Sequence, residues 1–287
     1  MSLPTTYLFV PGNRPDRFEK ALVSGADVVI LDLEDAVAAG DKALAREAVH
    51  HWCVAHPEIL DRIAVRINGT DSNEHSLDVD SVAHAGVPQV MLPKAESAEA
   101  VVDLTNKFRS STRILPLIES ARGVEAVYAI AAAPGVLRLA FGTLDYALDL
   151  GMQADSAGNS AGDAVGMVYP ASRIAIASRC LYLAPPIAGV TPDVGDDAAL
   201  LADLRFARAL GFGAKLCIHP RQVSRVHDAL QPTADEVMWA TRILAAAEDS
   251  SGATTLDGKM VDRPVIARAQ AIIDRFDVAQ REVRKKA

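Results

Sequence analysis

The sequence predicts an α/β fold in which eight parallel strands, each followed by a helix, close into a barrel. Short apolar runs recur along roughly the first 220 residues, and stretches with the 3.6-residue periodicity of helices separate most of them. Hydrophobic residues make up 50% of the 287 residues but aromatic residues only 5%. The core must therefore consist mainly of Ala, Val, Leu and Ile, which suits a parallel sheet buried on both faces.

Eight runs have the length and composition of buried strands. Strands that alternate with helices imply right-handed βαβ units and a parallel sheet. Eight such units predict a (β/α)8 barrel, the TIM-barrel architecture, with an open doubly wound sheet as the alternative. In chain order the predicted strands are Tyr7–Val10, Val28–Leu33, Ile63–Ile67, Gln89–Leu92, Arg113–Ile118, Leu137–Phe141, Ile187–Val190 and Lys215–Ile218.

The segments between the strands carry the helical pattern, and after His219 the pattern becomes entirely helical. A helix is predicted over Pro232–Glu248 with Thr233 as its N-cap, then a loop at 250–252, then a last helix from Val265 to the basic residues 284–286. We therefore expect a barrel domain over 1–225 and a C-terminal helical extension over 226–287 that either packs on the same barrel or contacts a neighbouring subunit. Among the helices predicted within the barrel are Asp16–Val23, Lys42–Trp52, Ala98–Phe108 and Asp196–Leu210.

Charge and cysteine usage exclude several classes of function. The formal net charge is −8, which argues against nucleic acid or an anionic membrane as the partner. The three cysteines, Cys53, Cys180 and Cys217, are far apart and form no CxxC pair, as is typical of a reducing cytoplasm. The sequence shows neither a signal-peptide pattern nor an apolar run of roughly 20 residues. We expect a soluble, cytoplasmic protein.

Polar residues stand at the end of every predicted strand. In a (β/α)8 barrel these ends meet at one rim, where active sites lie. Several acids and cations in one barrel mouth would be costly without a ligand or metal to organise them, so the pattern indicates an enzyme. In strand order the residues are Asn13 and Arg14, Glu34 and Asp35, Arg66, Lys94, Glu119, Asp145, Asp193, and His219.

Glu119 and Asp145 are the predicted metal ligands. They follow neighbouring strands and have no accompanying Cys or ligand-spaced His. Such hard oxygen ligands favour Mg²⁺, which takes one or two carboxylates and completes its shell with water and substrate. The alternative is that each acid caps the helix that follows it.

Two arginines are candidates for binding an anionic group. Arg66 lies inside an apolar strand, where its guanidinium suits a substrate carboxylate or carbonyl; the alternative is an internal ion pair with Glu34 or Asp35. Arg14 stands between a strand and a helix, where phosphate or carboxylate often binds, unless it is a solvated loop charge. The glycines form no nucleotide fingerprint. His219 could be functional or structural.

Eight segments resemble the citrate lyase β-subunit-like family, within the HpcH/HpaI aldolase and citrate lyase group. They span almost the whole chain in the order of the family. The segments are LFVPGNRPDRFEKA (8–21), DVVILDLEDAV (27–37), VRIN (65–68), VMLPK (90–94), LIESA (117–121), FGTLD (141–145), CIHPRQ (217–222) and GKMVDRP (258–264).

The resemblance implies a magnesium-dependent carbon–carbon lyase of 3-hydroxyacyl thioesters, such as citryl-, malyl- or citramalyl-CoA, often as a trimer. The implied roles are Mg²⁺ on Glu119 and Asp145, oxo-acid binding by Arg66 with Glu34 beside it, and second-sphere support of metal-bound water by Asp35. They continue with carboxylate binding by the amides of Gly142 and Thr143, contact of Arg14 and Lys94 with the phosphopantetheine or CoA arm, and acid/base action by Asp262 in a neighbouring subunit's site.

Two departures narrow the expectation. The segment Leu33–Ala36 lacks the His that the aldolase branch carries after Gly-Glu, which argues against a free pyruvate aldolase. Thr143 and Leu144 stand where relatives often carry Ala-Glu, so one secondary acid is missing. Two alternatives to the lyase stay open: a thioesterase on the same site, and the β subunit of a multi-subunit citrate lyase that uses an acyl carrier protein.

Overall fold

A computed structural model of the chain describes residues 3–152, 165–248 and 254–286. It confirms the predicted barrel and excludes the open sheet, since eight parallel strands follow one another in order and β8 pairs with β1. The strands are β1 (Thr6–Pro11), β2 (Val28–Asp32), β3 (Ile63–Arg66), β4 (Gln89–Leu92), β5 (Arg113–Ile118), β6 (Ala140–Phe141), β7 (Ile187–Ala188) and β8 (Ala214–Cys217).

Helices alternate with these strands, as predicted. They are α1 (Phe18–Val23), α2 (Lys42–Ala55), α3 (His75–Ala85), α4 (Ala98–Lys107), α5 (Ala121–Ala132), α6 (Thr143–Asp149), α7 (Val165–Cys180), α8 (Asp197–Ala209) and α9 (Pro220–Leu230). Among the described helices, none has both the length and the apolar character that a bilayer crossing requires.

The barrel interior is a packed core of side chains from all eight strands. Alternate residues point inward, as Val28 and Ile30 do on β2 and Leu115 and Leu117 on β5, and all four are at most 2% exposed. β6 and β7 are shorter than predicted. The chain before β6 pairs with β5 only through an isolated bridge between Val136 and Ile114.

The described part of the chain divides into two compact units, Leu3–Val226 and a C-terminal unit that begins at His227. The C-terminal unit contains α10 (Ala234–Glu248) and α11 (Arg263–Lys286). Thr233 caps α10 as predicted: its Oγ1 accepts the Glu236 amide at 3.1 Å, and the Glu236 carboxylate accepts the Thr233 amide at 2.9 Å. The predicted loop at 250–252 lies outside the described residues.

The expectation that everything after His219 is helical is wrong. An antiparallel hairpin, β9 (Thr254–Leu256) with β10 (Lys259–Val261), precedes α11. Its turn residues Asp257 and Gly258 have φ of 51° and 74°, the left-handed conformation that Asp-Gly favours in two-residue hairpins. The dipeptide and its flanking β-branched residues were readable in the sequence.

Arg138 is a buried cation that ties three chain segments together at the amino-terminal end of the barrel. It is 2% exposed. Its guanidinium donates to the carbonyls of Pro185 and Pro4, the latter at 2.6 Å, and lies 5.8 Å from the Tyr7 ring centroid. Burial lowers the pKa of Arg138, while Tyr7 opposes that effect.

Arg138→Met is expected to lower the free energy of unfolding by about 2–4 kcal/mol, because it removes a buried cation and leaves the carbonyls of Pro4 and Pro185 without their charged donor. Urea denaturation measures the change. Arg113→Met is the matched control, since Arg113 is exposed and donates to one carbonyl, that of Ser110. Equal losses in the two variants would contradict the assigned role of Arg138.

Candidate active site

Six of the predicted site residues gather at the carboxyl ends of the strands. Arg66 is the last residue of β3, and Glu119 follows β5 directly. Charge interactions link Glu119 to Asp145, Glu34 and Arg66. Lys94 interacts in the same way with Glu34, Glu119 and Asp35. The tertiary structure therefore forms one cluster from the last residue of β3 and from residues that follow β2, β4, β5 and β6.

Arg66 is held by a buried carboxylate that was not among the residues predicted from strand ends. Its Nε and Nη2 donate to Asp32 Oδ1 and Oδ2 at 2.7 and 2.6 Å, a bidentate pair in which Asp32 is fully buried. The two residues are direct partners in the β2–β3 register. The expected internal ion pair exists, but its main partner is Asp32. A charged residue inside each of two neighbouring apolar runs, Asp32 in the first and Arg66 in the second, was the sequence signal for it.

Asp32 also fixes the turn that follows β2. Its Oδ1 accepts the Glu34 amide and its Oδ2 the Ala36 amide, both at 3.0 Å. One carboxylate thus orients the Arg66 fork and the segment that carries Glu34 and Asp35. With Nε and Nη2 engaged, Arg66 directs Nη1 towards Glu34 and Asp35, at 2.8 and 3.4 Å. This edge is preorganised to meet an oxygen of a bound anion.

Glu34 carries a buried oxygen without a hydrogen bond. Oε2 lies 2.8 Å from Arg66 Nη1, yet the N–H direction does not make a hydrogen bond to it, and no other described residue supplies one. Burial raises the pKa of Glu34 to about 7; Arg66 opposes this effect, and Asp35 and Asp32 add to it. Glu34 can therefore gain or lose a proton near neutral pH.

Glu119 is buried more deeply than Glu34, at 3% against 8% exposure. Its Oε1 accepts the Lys94 amide at 2.8 Å. Burial raises its pKa to about 8; the Lys94 amide opposes this effect, and Asp145 and Glu34 strengthen it. The helix-capping alternative is wrong for Glu119, because Ser120 caps α5 by accepting the Gly123 amide at 3.1 Å.

The donor set fits Mg²⁺. Glu119 is a buried carboxyl group of which Oε1 accepts one backbone amide, and Asp145, half-buried in the first turn of α6, adds a second carboxyl group. Over the described ranges, no group of three or more His, Cys, Asp or Glu could hold a metal ion. A cation here would take two protein ligands and leave places for water and substrate, as Mg²⁺ commonly does.

Lys94 combines a strained backbone with a cationic side chain at the rim. Its φ is 45°, a left-handed conformation that costs free energy for a residue other than glycine. This conformation directs its amide at Glu119. Burial lowers the pKa of the ammonium, but Glu34, Asp71, Glu119 and Asp35 together raise it. Lys94 is thus a fixed positive charge beside the acids.

The three other predicted binding groups, Gly142, Thr143 and Arg14, differ in whether their donors are already used within the protein. The Gly142 amide donates to Ile118 O at 2.9 Å, which is at odds with the expectation that it receives a carboxylate. Thr143 begins α6, so its amide has no acceptor within the helix. Arg14 forms a bidentate pair with Asp16 at 2.9 Å, and its side chain is 43% exposed. That contact agrees with the solvated-loop alternative.

Residues further along the chain have local structural roles. Asp262 lies in the C-terminal unit and caps α11, where its Oδ1 accepts the Val265 amide at 3.2 Å. Its acid/base role stays a prediction. His219 Nδ1 accepts the Arg221 amide at 3.2 Å, and Asp193 accepts the Gly195 amide at 2.8 Å. These bonds favour the structural reading of His219.

Gly142→Ala is expected to reduce Mg²⁺ affinity at least tenfold. A Cβ at this position would overlap Oε2 and Cβ of Glu119, so the carboxylate would have to move. Titration calorimetry measures the affinity. Gly40→Ala is the control, because a Cβ there meets nothing within 4 Å. An unchanged affinity in Gly142→Ala would contradict the placement of the metal on Glu119.

The buried Glu119 carboxyl is expected to make the metal-free protein less stable as pH rises. Folding raises its pKa from 4.5 to about 8, so its contribution is fully present below about pH 4.5 and is lost as pH rises to about 8. Mg²⁺ affinity should increase over the same interval, because ligation requires the carboxylate. Thermal melts with EDTA or Mg²⁺ between about pH 5 and 8 measure both effects. A wild-type slope no steeper than that of Glu119→Gln would contradict this.

Comparisons with known proteins place the chain among close relatives. Residues 5–220 match the family model described as HpcH/HpaI aldolase/citrate lyase. The citrate lyase subunit beta-like protein of Mycobacterium tuberculosis is 36% identical over 276 residues, which cover 96% of this chain and 97% of that protein. The L-malyl-CoA/beta-methylmalyl-CoA lyase of Cereibacter sphaeroides is 34% identical over an alignment that covers 93% of this chain and 92% of that protein.

The same relationship holds for a solved structure. CitE from Mycobacterium tuberculosis, in complex with magnesium, acetoacetate and coenzyme A, superposes with a TM-score of 0.86 at 34% identity. The match covers 96% of this chain and 99% of that one. Fold and sequence thus agree along nearly the full length of both chains.

Proposed function

The chain belongs to the HpcH/HpaI aldolase/citrate lyase family, and from this premise we propose that it cleaves or forms a carbon–carbon bond in a 3-hydroxyacyl-CoA thioester. It is a lyase that depends on Mg²⁺ and acts on CoA esters. Citryl-, malyl- and citramalyl-CoA are the proposed substrates. The observation that carries the proposal is the buried Glu119, which interacts by charge with Asp145 and with the oriented guanidinium of Arg66.

The proposed reaction moves one proton and breaks one bond. The 3-hydroxyl of the substrate loses its proton, the bond between C2 and C3 breaks, and the oxo acid and a thioester enolate form. The enolate then takes up a proton at carbon. Mg²⁺ held by Glu119 and Asp145 supplies Lewis-acid stabilisation of negative charge on the substrate oxygen.

Arg66 binds the same oxygen through its Nη1 edge, because Asp32 keeps the rest of the fork engaged. The Thr143 amide receives the substrate carboxylate. Glu34 lies against Arg66, and because its pKa is raised to about 7 it can gain or lose a negative charge near neutral pH. Asp35 orients water at the metal site. Lys94 binds the phosphopantetheine or CoA arm, and Arg14 reaches that arm when it exchanges Asp16 for a phosphate.

The protein is proposed to act as a homotrimer. Asp262 would then serve as acid/base group in the site of a neighbouring subunit, to which the C-terminal unit contributes. Asp262 Oδ1 caps α11, and the second carboxylate oxygen, Oδ2, is the one proposed to exchange the proton. The free thiols of Cys53, Cys180 and Cys217 support a cytoplasmic location. The alternative substrate is the same acyl group carried as a thioester on an acyl carrier protein in place of CoA.

The test is to incubate the purified protein and Mg²⁺ with citryl-, malyl- and citramalyl-CoA while free thiol and oxo acid are followed together. Oxo acid without thiol is the expected result and names the substrate. Release of free thiol without oxo acid would show that the protein is a thioesterase and not a lyase. If wild type and Glu119→Ala are equally silent, free CoA esters are not substrates, and the same assay with esters of an acyl carrier protein follows.

A further inference from the structure

Lys42, the first residue of α2, cross-braces two of the loops that form the site. Its Nζ donates to three neutral acceptors: Leu33 O at 2.8 Å, Glu34 O at 2.7 Å and Asn68 Oδ1 at 2.8 Å. An ammonium has three N–H donors, and all three are used. Two of the acceptors belong to the turn after β2, and the third follows β3.

Asn68 extends the brace into the protein. It is 4% exposed, and its Nδ2 donates to Leu33 O at 2.9 Å and to Asp78 Oδ2 at 2.6 Å. The Asn68 amide donates to the same Asp78 oxygen at 2.9 Å. Asp78, on α3, is fully buried. The turn after β2 is therefore fixed to two helices and to the neighbouring loop.

We propose that Lys42 is a positioning residue of the active site, which places the Glu34 carboxylate against Arg66 by holding the backbone of Leu33 and Glu34. Its contacts go to backbone carbonyls and one amide, and the Glu34 side chain points to Arg66 Nη1 at 2.8 Å. Asp32 holds the turn after β2 by accepting hydrogen bonds from the amides of the turn, and Lys42 holds it by donating to the carbonyls of the turn. The proposal rests on the lyase function and adds a residue to it.

Arg62 offers a matched control, because it makes the same kind of brace at the other end of β2. Its Nη2 donates to Leu22 O at 3.0 Å and Ala26 O at 2.8 Å. Both carbonyls precede β2, whereas those held by Lys42 follow it. Removing either cation frees backbone carbonyls beside the same strand, but only Lys42 stands next to the site.

The experiment compares Lys42→Met with Arg62→Met for kcat, KM, Mg²⁺ affinity and Tm. Misplacement of a catalytic group by about 1 Å can cost on the order of 10²-fold. We expect kcat of Lys42→Met to fall about 10- to 100-fold, with KM and Mg²⁺ affinity within about threefold of wild type. Arg62→Met should lose Tm but keep kcat within about threefold of wild type.

Chemical rescue separates positioning from a general loss of structure. Lys42→Cys is made together with Cys180→Ser, which removes the exposed thiol, while Cys53 and Cys217 stay buried. Alkylation of the introduced thiol with 2-bromoethylamine restores an ammonium at nearly the length of lysine. The expected result is recovery of at least tenfold in kcat.

Two outcomes would overturn the role of Lys42: kcat losses no larger than those of Arg62→Met, or no recovery after complete alkylation. A wild-type protein that releases no oxo acid from any ester would instead overturn the proposed function, and the role of Lys42 would fall with it. In the first two outcomes the wild-type enzyme is still active, so a failure of the Lys42 role can be distinguished from a failure of the proposed function.

Discussion

Glu119→Gln is expected to lower kcat by at least roughly 10³-fold, about 4 kcal/mol of transition-state stabilisation. Glutamine has the same shape, so its side-chain oxygen can still accept the Lys94 amide and fill the space beside Gly142. The substitution removes only the charge, and with it one of two carboxylates for Mg²⁺. Steady-state kinetics with saturating thioester measures the loss.

Thermal melts give an independent result for the same variant. Near pH 8 without metal, Glu119→Gln should be more stable than wild type, because burial of the Glu119 carboxylate, whose pKa is raised to about 8, no longer opposes folding. Mg²⁺ should raise the Tm of wild type and leave that of the variant unchanged. Glu99→Gln, on the exposed face of α4, is the control. Retained metal stabilisation in Glu119→Gln would contradict the ligand assignment.

Arg66→Lys is expected to lower kcat/KM by about 10²- to 10⁴-fold, although the charge is kept. Lysine lacks the planar fork by which Arg66 pairs Nε and Nη2 with the two oxygens of Asp32 and keeps Nη1 directed away from that pair. The variant should lose stability as well, by about 2–4 kcal/mol, because fully buried Asp32 keeps only part of its pairing.

The control for Arg66→Lys is Arg138→Lys, which changes a buried arginine at the opposite end of the barrel. It should lose comparable stability and keep kcat/KM within about threefold, since it touches no group proposed to bind substrate. Assays well below the Tm of both variants separate activity from unfolding. Comparable kcat/KM losses in the two variants would show that the effect of Arg66→Lys is only structural.

The sequence by itself determined the fold and the neighbourhood of the site. Helix and strand periodicity depend on local hydrogen bonding and on which faces are buried, so runs such as Gln89–Leu92 and Arg113–Ile118 were predicted with the bounds observed for β4 and β5. Parallel strands in a barrel bring their carboxyl ends together. Glu119, Asp145 and Arg66 could therefore be grouped without any distance being known.

The tertiary structure alone decided how these residues are paired. The register of β2 against β3 sets Asp32 beside Arg66, so the buried partner is an acid inside the strand and the acids after it are secondary. The approach of Lys42 to Leu33 and Glu34, and that of Gly142 to Glu119, likewise depend on how separate elements pack. Local patterns can place a charged residue in a strand but do not fix such contacts, because each contact joins atoms whose separation is set by the whole barrel and not by their spacing in the chain.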